Sequence, residues 1–446
     1  MGTVMRDIKL ISTTKENKFI ENNVRVSSDK NYHCLFLNGN KHQKIEGFGG
    51  CFNELSYIAL EKVEKEKRDE VIKNLFDKEE CNFNYCRIPI GASDYAESWY
   101  SLNEVEGDYK MKHFTIERDK KYLIPYINSA LKYNDNINFF ASPWSPPTWM
   151  KQPKVYNYGR IKWEEKNLNA YALYFKKFIE AYEKEGIKIS QIHIQNEPIA
   201  DQKFPSCVWS GEKMRDFIRD YIGPLFEANK VNTEIWLGTL NSPYDDYGDE
   251  NWQFGQYNNF ANIVLSDKKA RRYISGIGYQ WGGKHALLQT KLAYPEMKII
   301  QTENECGEGK NSWEYAEYVF NLIWTYLING ASAYVYWNMV LEEGGMSTWG
   351  WKQNSLVSII EEKGVRYNPE YYLMKHFSKY VKKGATLMGL SGDYSGNSLA
   401  FENEDGSIIL QLLNPFNENQ EITFTYNNTN YNFEVKPHSF NTLIVK

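Results

Sequence analysis

The 446-residue sequence is short of the features that announce several common classes of protein. Nowhere do eighteen apolar residues run together, so no membrane-spanning helix is expected. The opening Met-Gly-Thr-Val-Met-Arg-Asp-Ile-Lys-Leu has neither the apolar stretch nor the small-residue cleavage site of a leader. As it stands the sequence reads as cytoplasmic, and as secreted if a leader has been removed. Cysteine is scarce: six residues at 34, 51, 81, 86, 207 and 306, with no CxxC and no regular framework, read as reduced thiols. Charge of one sign is lacking too. The 52 basic and 57 acidic side chains are well mixed, and a net charge of -5 offers no stripe for nucleic acid or an anionic membrane. There is no GxGxxG turn after a strand, no HExxH or histidine cluster, and no GxSxG elbow. No metal and no cofactor are called for. Nothing in the sequence sets the oligomeric state.

What is abundant is apolar and aromatic material. Hydrophobic content of 42% over this length supports one large domain beside a small one. Aromatic content is 15%, with 13 Trp, 33 Tyr and 23 Phe, which suits an aromatic-rich core or flat amphipathic partners such as sugar rings.

From about residue 44, short apolar runs alternate with amphipathic segments of helical length. Eight strands are predicted: Ile45 to Gly50, Asn84 to Gly91, Ile137 to Pro143, Ile189 to Asn196, Glu234 to Leu240, Ile274 to Gln280, Lys298 to Thr302 and Ala333 to Asn338. Helical patterns between them include Glu54 to Phe76, Leu168 to Glu185, Lys213 to Ala228 and Trp313 to Leu327. Eight βα repeats predict a (β/α)8 TIM barrel, here over residues 41–384. A helix over Glu370 to Lys383 is followed by short strands with Gly, Asn and Asp turns, including Glu404-Asp405-Gly406. Residues 1–40 also read as strands, so residues 1–40 and 385–446 are expected to pair into one side β-sandwich.

In such a barrel the chemistry lies where strands end, and the predicted strand ends are polar. The fourth ends in "IQNEP", placing Asn196 and Glu197 at the tip, with Pro198 forbidding simple continuation. The seventh ends on Thr302-Glu303. Strands four and seven lie nearly opposite each other, so inward carboxyls at their tips can come within roughly 5 Å, the separation used by a retaining glycosidase. Alone, either glutamate reads more readily as a salt bridge to a loop Lys or Arg. The pair, set among Trp144, Trp281 and Trp337, reads as acid and nucleophile.

"GFGGCFNEL", "CRIPIGASDY", "FFASPWSPPTWMK", "IQNEP", "IIQTENECG" and "YVYWNM" then occur in the order and spacing of glycoside hydrolase family 30, between about residues 44 and 345. The chain most resembles the glucosylceramidase and β-1,6-glucanase branches. The resemblance implies retaining hydrolysis of a carbohydrate or glycolipid, with Glu197 as acid/base and Glu303 as nucleophile; Glu305 is the rival nucleophile in "TENE". It also implies a substrate site in which Arg87 holds the nucleophile ionised, Asn196 donates to the sugar 2-hydroxyl, Asp94 and Glu54 hold glycone hydroxyls, and Trp144 and Trp337 line the ring. The sequence departs from the family twice. Glu54 stands where glucosylceramidases usually have aspartate, and Gln280-Trp281-Gly282 replaces a segment whose tyrosine supports the nucleophile, so Tyr279 or Trp281 is expected to substitute.

An exo-acting β-glucosidase of the glucosylceramidase kind is the leading expectation. An endo-β-1,6-glucanase comes next, then a β-xylosidase or β-fucosidase; a non-catalytic carbohydrate-binding barrel is the reading outside enzymes. Ser98 to Phe114 and Asn241 to Tyr257 are candidate pocket walls. His193 is read as a hydrogen-bonded core histidine.

Overall fold

In the computed structural model, which describes residues 7–242, 260–361 and 364–446, the repeated apolar runs close on themselves. The strands β1 (Gly47–Cys51), β2 (Tyr85–Ile90), β3 (Asn138–Pro143), β4 (Ile189–His193), β5 (Glu234–Leu240), β6 (Ile274–Gln280), β7 (Lys298–Glu303) and β8 (Ala331–Asn338) form a closed barrel. Every neighbour is parallel and follows chain order, with β8 returning to β1. Buried on both faces, these strands read as near-continuous apolar runs rather than alternating ones.

Side chains fill the barrel. Tyr85, Phe140, Trp236, Ile300, Ala333 and Val335 make one cluster, distinct from the larger sheath under the helices. His193 joins it with its ring 4.9 Å from Phe140 and 5.6 Å from Trp236. Room for that ring comes from β5 and β6: a Cβ on Gly278 would lie 2.5 Å from His193 Cε1, and one on Gly238 would lie 2.6 Å from Nδ1. Neither ring nitrogen has a hydrogen-bond partner among the described residues, which corrects the expectation of a hydrogen-bonded histidine. Burial, and then the Arg87 charge, hold it well below the usual imidazole range, so it packs as a neutral ring.

Two predicted helices are interrupted. Glu54 to Phe76 is two helices, Glu54–Glu61 and Lys65–Phe76, because Glu64 adopts extended backbone and its carbonyl starts the second by accepting from the Arg68 N–H at 3.0 Å. Lys213 to Ala228 becomes Gly211–Phe217, a wide π turn over Ile218–Ile222, and Gly223–Asn229. Pro224 has no N–H to extend the ladder there. Residues 98–114 are fastened to the helix Glu165–Lys184 and to the turn after β3: the Leu102 N–H donates to Tyr174 Oη at 3.1 Å and Trp149 Nε1 to the Asn103 carbonyl at 3.0 Å. Of the other candidate wall, residues 243–257 lie outside the described residues.

Beside the barrel lies a ten-stranded sheet to which both ends of the chain contribute. The strand Ile8–Thr13 pairs with Ser439–Val445, and the long strand His33–Lys44 lies between Thr386–Gly392 and Gln420–Tyr426. Its apolar interior includes Leu10, Leu35, Leu410, Leu412, Phe424 and Leu443.

Candidate active site

The site is built where β2, β3, β4, β5, β6 and β7 end. Arg87 on β2 is fully buried, so each of its N–H groups needs an acceptor. Nε and one terminal nitrogen donate to Ser142 Oγ at 3.0 and 2.8 Å. That same terminal nitrogen donates to Asn196 Oδ1 at 2.6 Å and Thr239 Oγ1 at 3.2 Å, while the other makes a close ion pair with Glu303 Oε2. The guanidinium lies 4.4 Å from the Trp144 ring centre and 5.4 Å from that of Trp337, and the two indoles are 5.5 Å apart. Flat cation and flat rings pack without leaving the charge unpaired.

The tip of β4 is fastened on both sides. The Asn196 N–H donates to the Pro143 carbonyl at 2.8 Å and the Glu197 N–H to the Thr239 carbonyl at 3.1 Å. Regular strand ends at His193, three residues earlier than the apolar run predicts, yet the backbone continues to pair through Gln195 and Thr239. Glu197 takes a left-handed conformation with φ of 48°. Such a backbone costs a non-glycine residue about 1–2 kcal/mol and is retained where surroundings fix it. It turns the side chain out of the strand's alternation, partly buried, with no side-chain hydrogen bond among the described residues.

Two carboxyls thus share one mouth with unlike support. Burial raises both; the Arg87 ion pair pulls Glu303 back, whereas the charges of Glu303 and Asp94 push Glu197 further up. Of the two, Glu197 is the one whose charged form is disfavoured by burial and by like charges, and Glu303 the one whose charged form has a cationic partner. A carboxylic acid beside an ionised carboxylate can protonate a leaving oxygen while the second attacks carbon.

Asp94 is buried, and its Oδ2 accepts from Gln353 Nε2 at 3.4 Å while Oδ1 has no partner among the described residues. Burial, then the Glu303 charge, push it up to about 7. A row of amides fixes it: Ser93 donates to Asn53, Asn53 to Asn338, and Asn338 to Gln353.

Arg87, Asp94, Trp144, Asn196, Glu197, Glu303 and Trp337 are therefore brought together. Three other candidates are not. The Glu54 carboxylate is consumed by Arg118, at 2.9 and 3.0 Å, and by the Glu97 N–H at 2.8 Å. Tyr279 points out of the barrel to Thr290 Oγ1 at 2.6 Å, because adjacent residues in a strand face opposite ways and Gln280 faces in. Gln280, rather than Tyr279 or Trp281, contacts Glu303, at 3.1 Å. Trp281 lies further out and lines an open cavity of about 600 Å³ with Trp351, Tyr315, Cys306 and Asn354. Glu305 also lines it, and its carboxylate accepts from Tyr318 Oη.

Sequence reasoning missed Gln280, Ser142, Thr239 and Gln353. The first three end predicted strands, and a rule that every polar tip residue is a candidate would have found them. Gln353 follows β8 by fifteen residues, in a loop whose path no local pattern gives.

A closed barrel of eight parallel strands carrying two carboxyls, an arginine and two tryptophans at its C-terminal mouth, flanked by a β-sandwich, defines a glycoside hydrolase of the TIM-barrel class. The model of the glycosyl hydrolase family 30 TIM-barrel domain matches residues 45–381, and that of the family 30 beta sandwich domain matches residues 384–443. The chain belongs to glycosyl hydrolase family 30. Among curated relatives, Putative glucosylceramidase 1 of Caenorhabditis elegans is 30% identical over 410 residues, covering 86% of this chain and 76% of the relative. The Lysosomal acid glucosylceramidase of Mus musculus is 26% identical over 412 residues, covering 86% and 78%. Among solved structures, an endo-beta1,6-glucanase superposes with a TM-score of 0.87 at 26% identity, covering 98% of each chain. Among the described residues, no helix is long and apolar enough to cross a membrane.

Proposed function

We propose that the protein is a retaining β-glycosidase that removes β-linked glucose from a glycoside of the glucosylceramide type. The observation that carries the reading is the contrast between the two carboxyls: Glu303 is tied through Oε2 to Arg87, whereas Glu197 has no side-chain hydrogen bond among the described residues and is pushed up by burial and by the charges of Glu303 and Asp94. In the first step Glu303 Oε1 attacks the anomeric carbon, the bond to the aglycone oxygen breaks, and Glu197 delivers its proton to that oxygen. In the second, Glu197 takes a proton from water, whose oxygen displaces Glu303 and releases the sugar in its original configuration. Asn196 donates to the 2-hydroxyl, Asp94 Oδ1 accepts from a hydroxyl further round the ring, and Trp144 and Trp337 line the glycone. The glucosylceramidase relatives, which this chain covers over more than two thirds of their length, support the glycone and the lipid aglycone.

One observation favours a second reading, an endo-β-1,6-glucanase. The cavity between Trp281 and Trp351 is open, and its mainly apolar wall sets tryptophan faces beside Glu305, Glu308 and Asn354, an arrangement that suits a further sugar ring as well as a lipid. The likeness to the endo-beta1,6-glucanase structure supports it.

The test is product analysis by anomeric proton NMR with nitrophenyl β-glucoside, glucosylceramide in detergent, and linear β-1,6-glucan, paired with Glu197→Gln. Hydrolysis of the first two with β-glucose appearing first is the expected result, and cleavage of the glucan alone selects the second reading. In Glu197→Gln, rates on an alkyl β-glucoside should fall roughly 100-fold more than on a dinitrophenyl β-glucoside, whose leaving group needs no proton. Equal losses on both would remove Glu197 from the acid role.

A further inference from the structure

Gln280, at the end of β6, is wholly buried and spends one nitrogen on three acceptors. Its Nε2 lies 2.8 Å from Asn196 Oδ1, 3.1 Å from Thr239 Oγ1 and 3.1 Å from Glu303 Oε2. Its Oε1 is buried and has no partner among the described residues. The reverse orientation of the amide would aim Oε1 at a carboxylate and a carbonyl oxygen, so the network itself fixes which end faces the site. The backbone carbonyl of Gln280 accepts from Tyr326 Oη, which anchors the residue from the helix Trp313–Ile328.

Arg87 and Gln280 both donate to Glu303 Oε2 and Asn196 Oδ1. The four groups close a ring. Two consequences follow from counting lone pairs. Glu303 Oε2 is occupied by two donors, leaving Oε1 as the oxygen free to attack. Asn196 Oδ1 lies within hydrogen-bond distance of donors on Arg87, Gln280 and Thr239, enough to fill both its lone pairs, so its amide cannot flip, and Nδ2 is the end presented to substrate.

We infer that Gln280 is a positioning residue that locks the nucleophile and the donor to the sugar 2-hydroxyl into one unit, so that orientation of Glu303 and recognition at the 2-position are not independent. This rests on the proposed roles of Glu303 and Asn196. Hydrogen bonds to Asn196 Oδ1 draw electron density from the amide and make Nδ2 a stronger donor.

The test uses two variants and two substrates, nitrophenyl β-glucoside and its 2-deoxy analogue, with pH profiles of kcat/KM. Gln280→Met keeps the length and removes the donor. Its kcat/KM on the parent glucoside should fall about ten- to hundredfold. The preference for parent over 2-deoxy substrate should shrink by about tenfold, and the acidic limb of the profile should move up by about one pH unit, since ionised Glu303 has lost a donor. The other charged or ionisable groups facing Glu303 are Arg87, Asp94, Glu197, Cys51 and Cys306, and neither variant changes them. Gln280→Glu guards against misfolding of the first variant. Only its protonated form can donate, so its activity should survive at low pH and vanish as pH rises. A merely structural Gln280 would lower Tm and leave both the limb and the 2-deoxy preference unmoved; that result in both variants overturns the inference. Wild-type inactivity on every β-glycoside would overturn the reaction and this role with it.

Discussion

Two buried polar regions of the molecule treat their hydrogen-bonding groups in opposite ways. At the seam between barrel and side sheet, His376 is stacked 4.6 Å from Phe19 and sits between Thr442 Oγ1 at 2.7 Å and Thr13 Oγ1 at 2.9 Å. Thr442 donates on to Gln411, and Gln411 returns a bond to the His376 carbonyl, so the circuit closes within the protein. At the mouth, Asp94 Oδ1 and Trp337 Nε1 are buried without partners among the described residues. Leaving such groups unmade costs roughly 1–3 kcal/mol each. The circuit around His376 is satisfied from within, whereas the open groups at the mouth cluster about the two carboxyls, where a substrate would meet them.

If that contrast is sound, substitutions at the mouth change turnover while those at the seam change stability. The largest effect belongs to Glu303→Gln. Turnover of nitrophenyl β-glucoside should fall by roughly 10⁴-fold or more, with Tm little lowered, because Gln keeps an oxygen for Arg87. Rates near wild type would move the nucleophile elsewhere, Glu305 being the first place to look.

Asp94→Asn sharpens the comparison, since it joins the two readouts. Loss of a charged acceptor should lower kcat/KM by about ten- to hundredfold. Stability should move the other way. In the folded protein the Asp94 carboxyl is pushed up to about 7 from 3.8, so folding favours its neutral form. The resulting penalty is absent below the unfolded value, near pH 4, and is fully present above about pH 7. The variant's Tm should therefore gain on wild type as pH rises across that window. A constant gap between pH 4 and 8 would mean that Asp94 is already compensated and is not held open.

How much of this was legible beforehand follows the same division. The barrel was, because eight strands buried on both faces must be apolar runs; β5 and β6 match the predicted limits at both ends. Residues that close those strands could be named from the runs alone, and Arg87, Asn196, Glu197 and Glu303 do meet at one mouth. Direction and partnership were not legible. Glu54 has an acid's composition and a plausible position, yet Arg118, sixty-four residues away, consumes it. Gln280 and Tyr279 are neighbours in a strand, and only the parity of β6 decides that the amide faces in and the phenol out. The break at Glu64 left no mark, since Lys-Val-Glu-Lys continues a good helical composition.

The smallest effect on catalysis, and the cleanest contrast, is expected from His376→Phe at the seam. Thr442 donates to Gln411, so its oxygen accepts from His376 Nδ1, and Nε2 accepts from Thr13; the network assigns this neutral tautomer. Burial holds the imidazole down to about 3, below its ordinary 6.5. Stability from this group is then fully present above pH 6.5 and is lost as pH falls toward 3, because the unfolded chain takes up the proton first. Phenylalanine keeps the stacking on Phe19 but strands the Thr13 hydroxyl hydrogen, at a cost of about 1–3 kcal/mol. Its Tm should lie below wild type at pH 7.5, the gap should narrow as pH falls below 6.5, and kcat/KM should stay within about twofold. A gap that widened on acidification would mean that the seam histidine is charged and the circuit drawn above is wrong; a large loss of turnover with unchanged Tm would mean that the seam and the mouth are one coupled network, and the division argued from their open and closed hydrogen bonds would not stand.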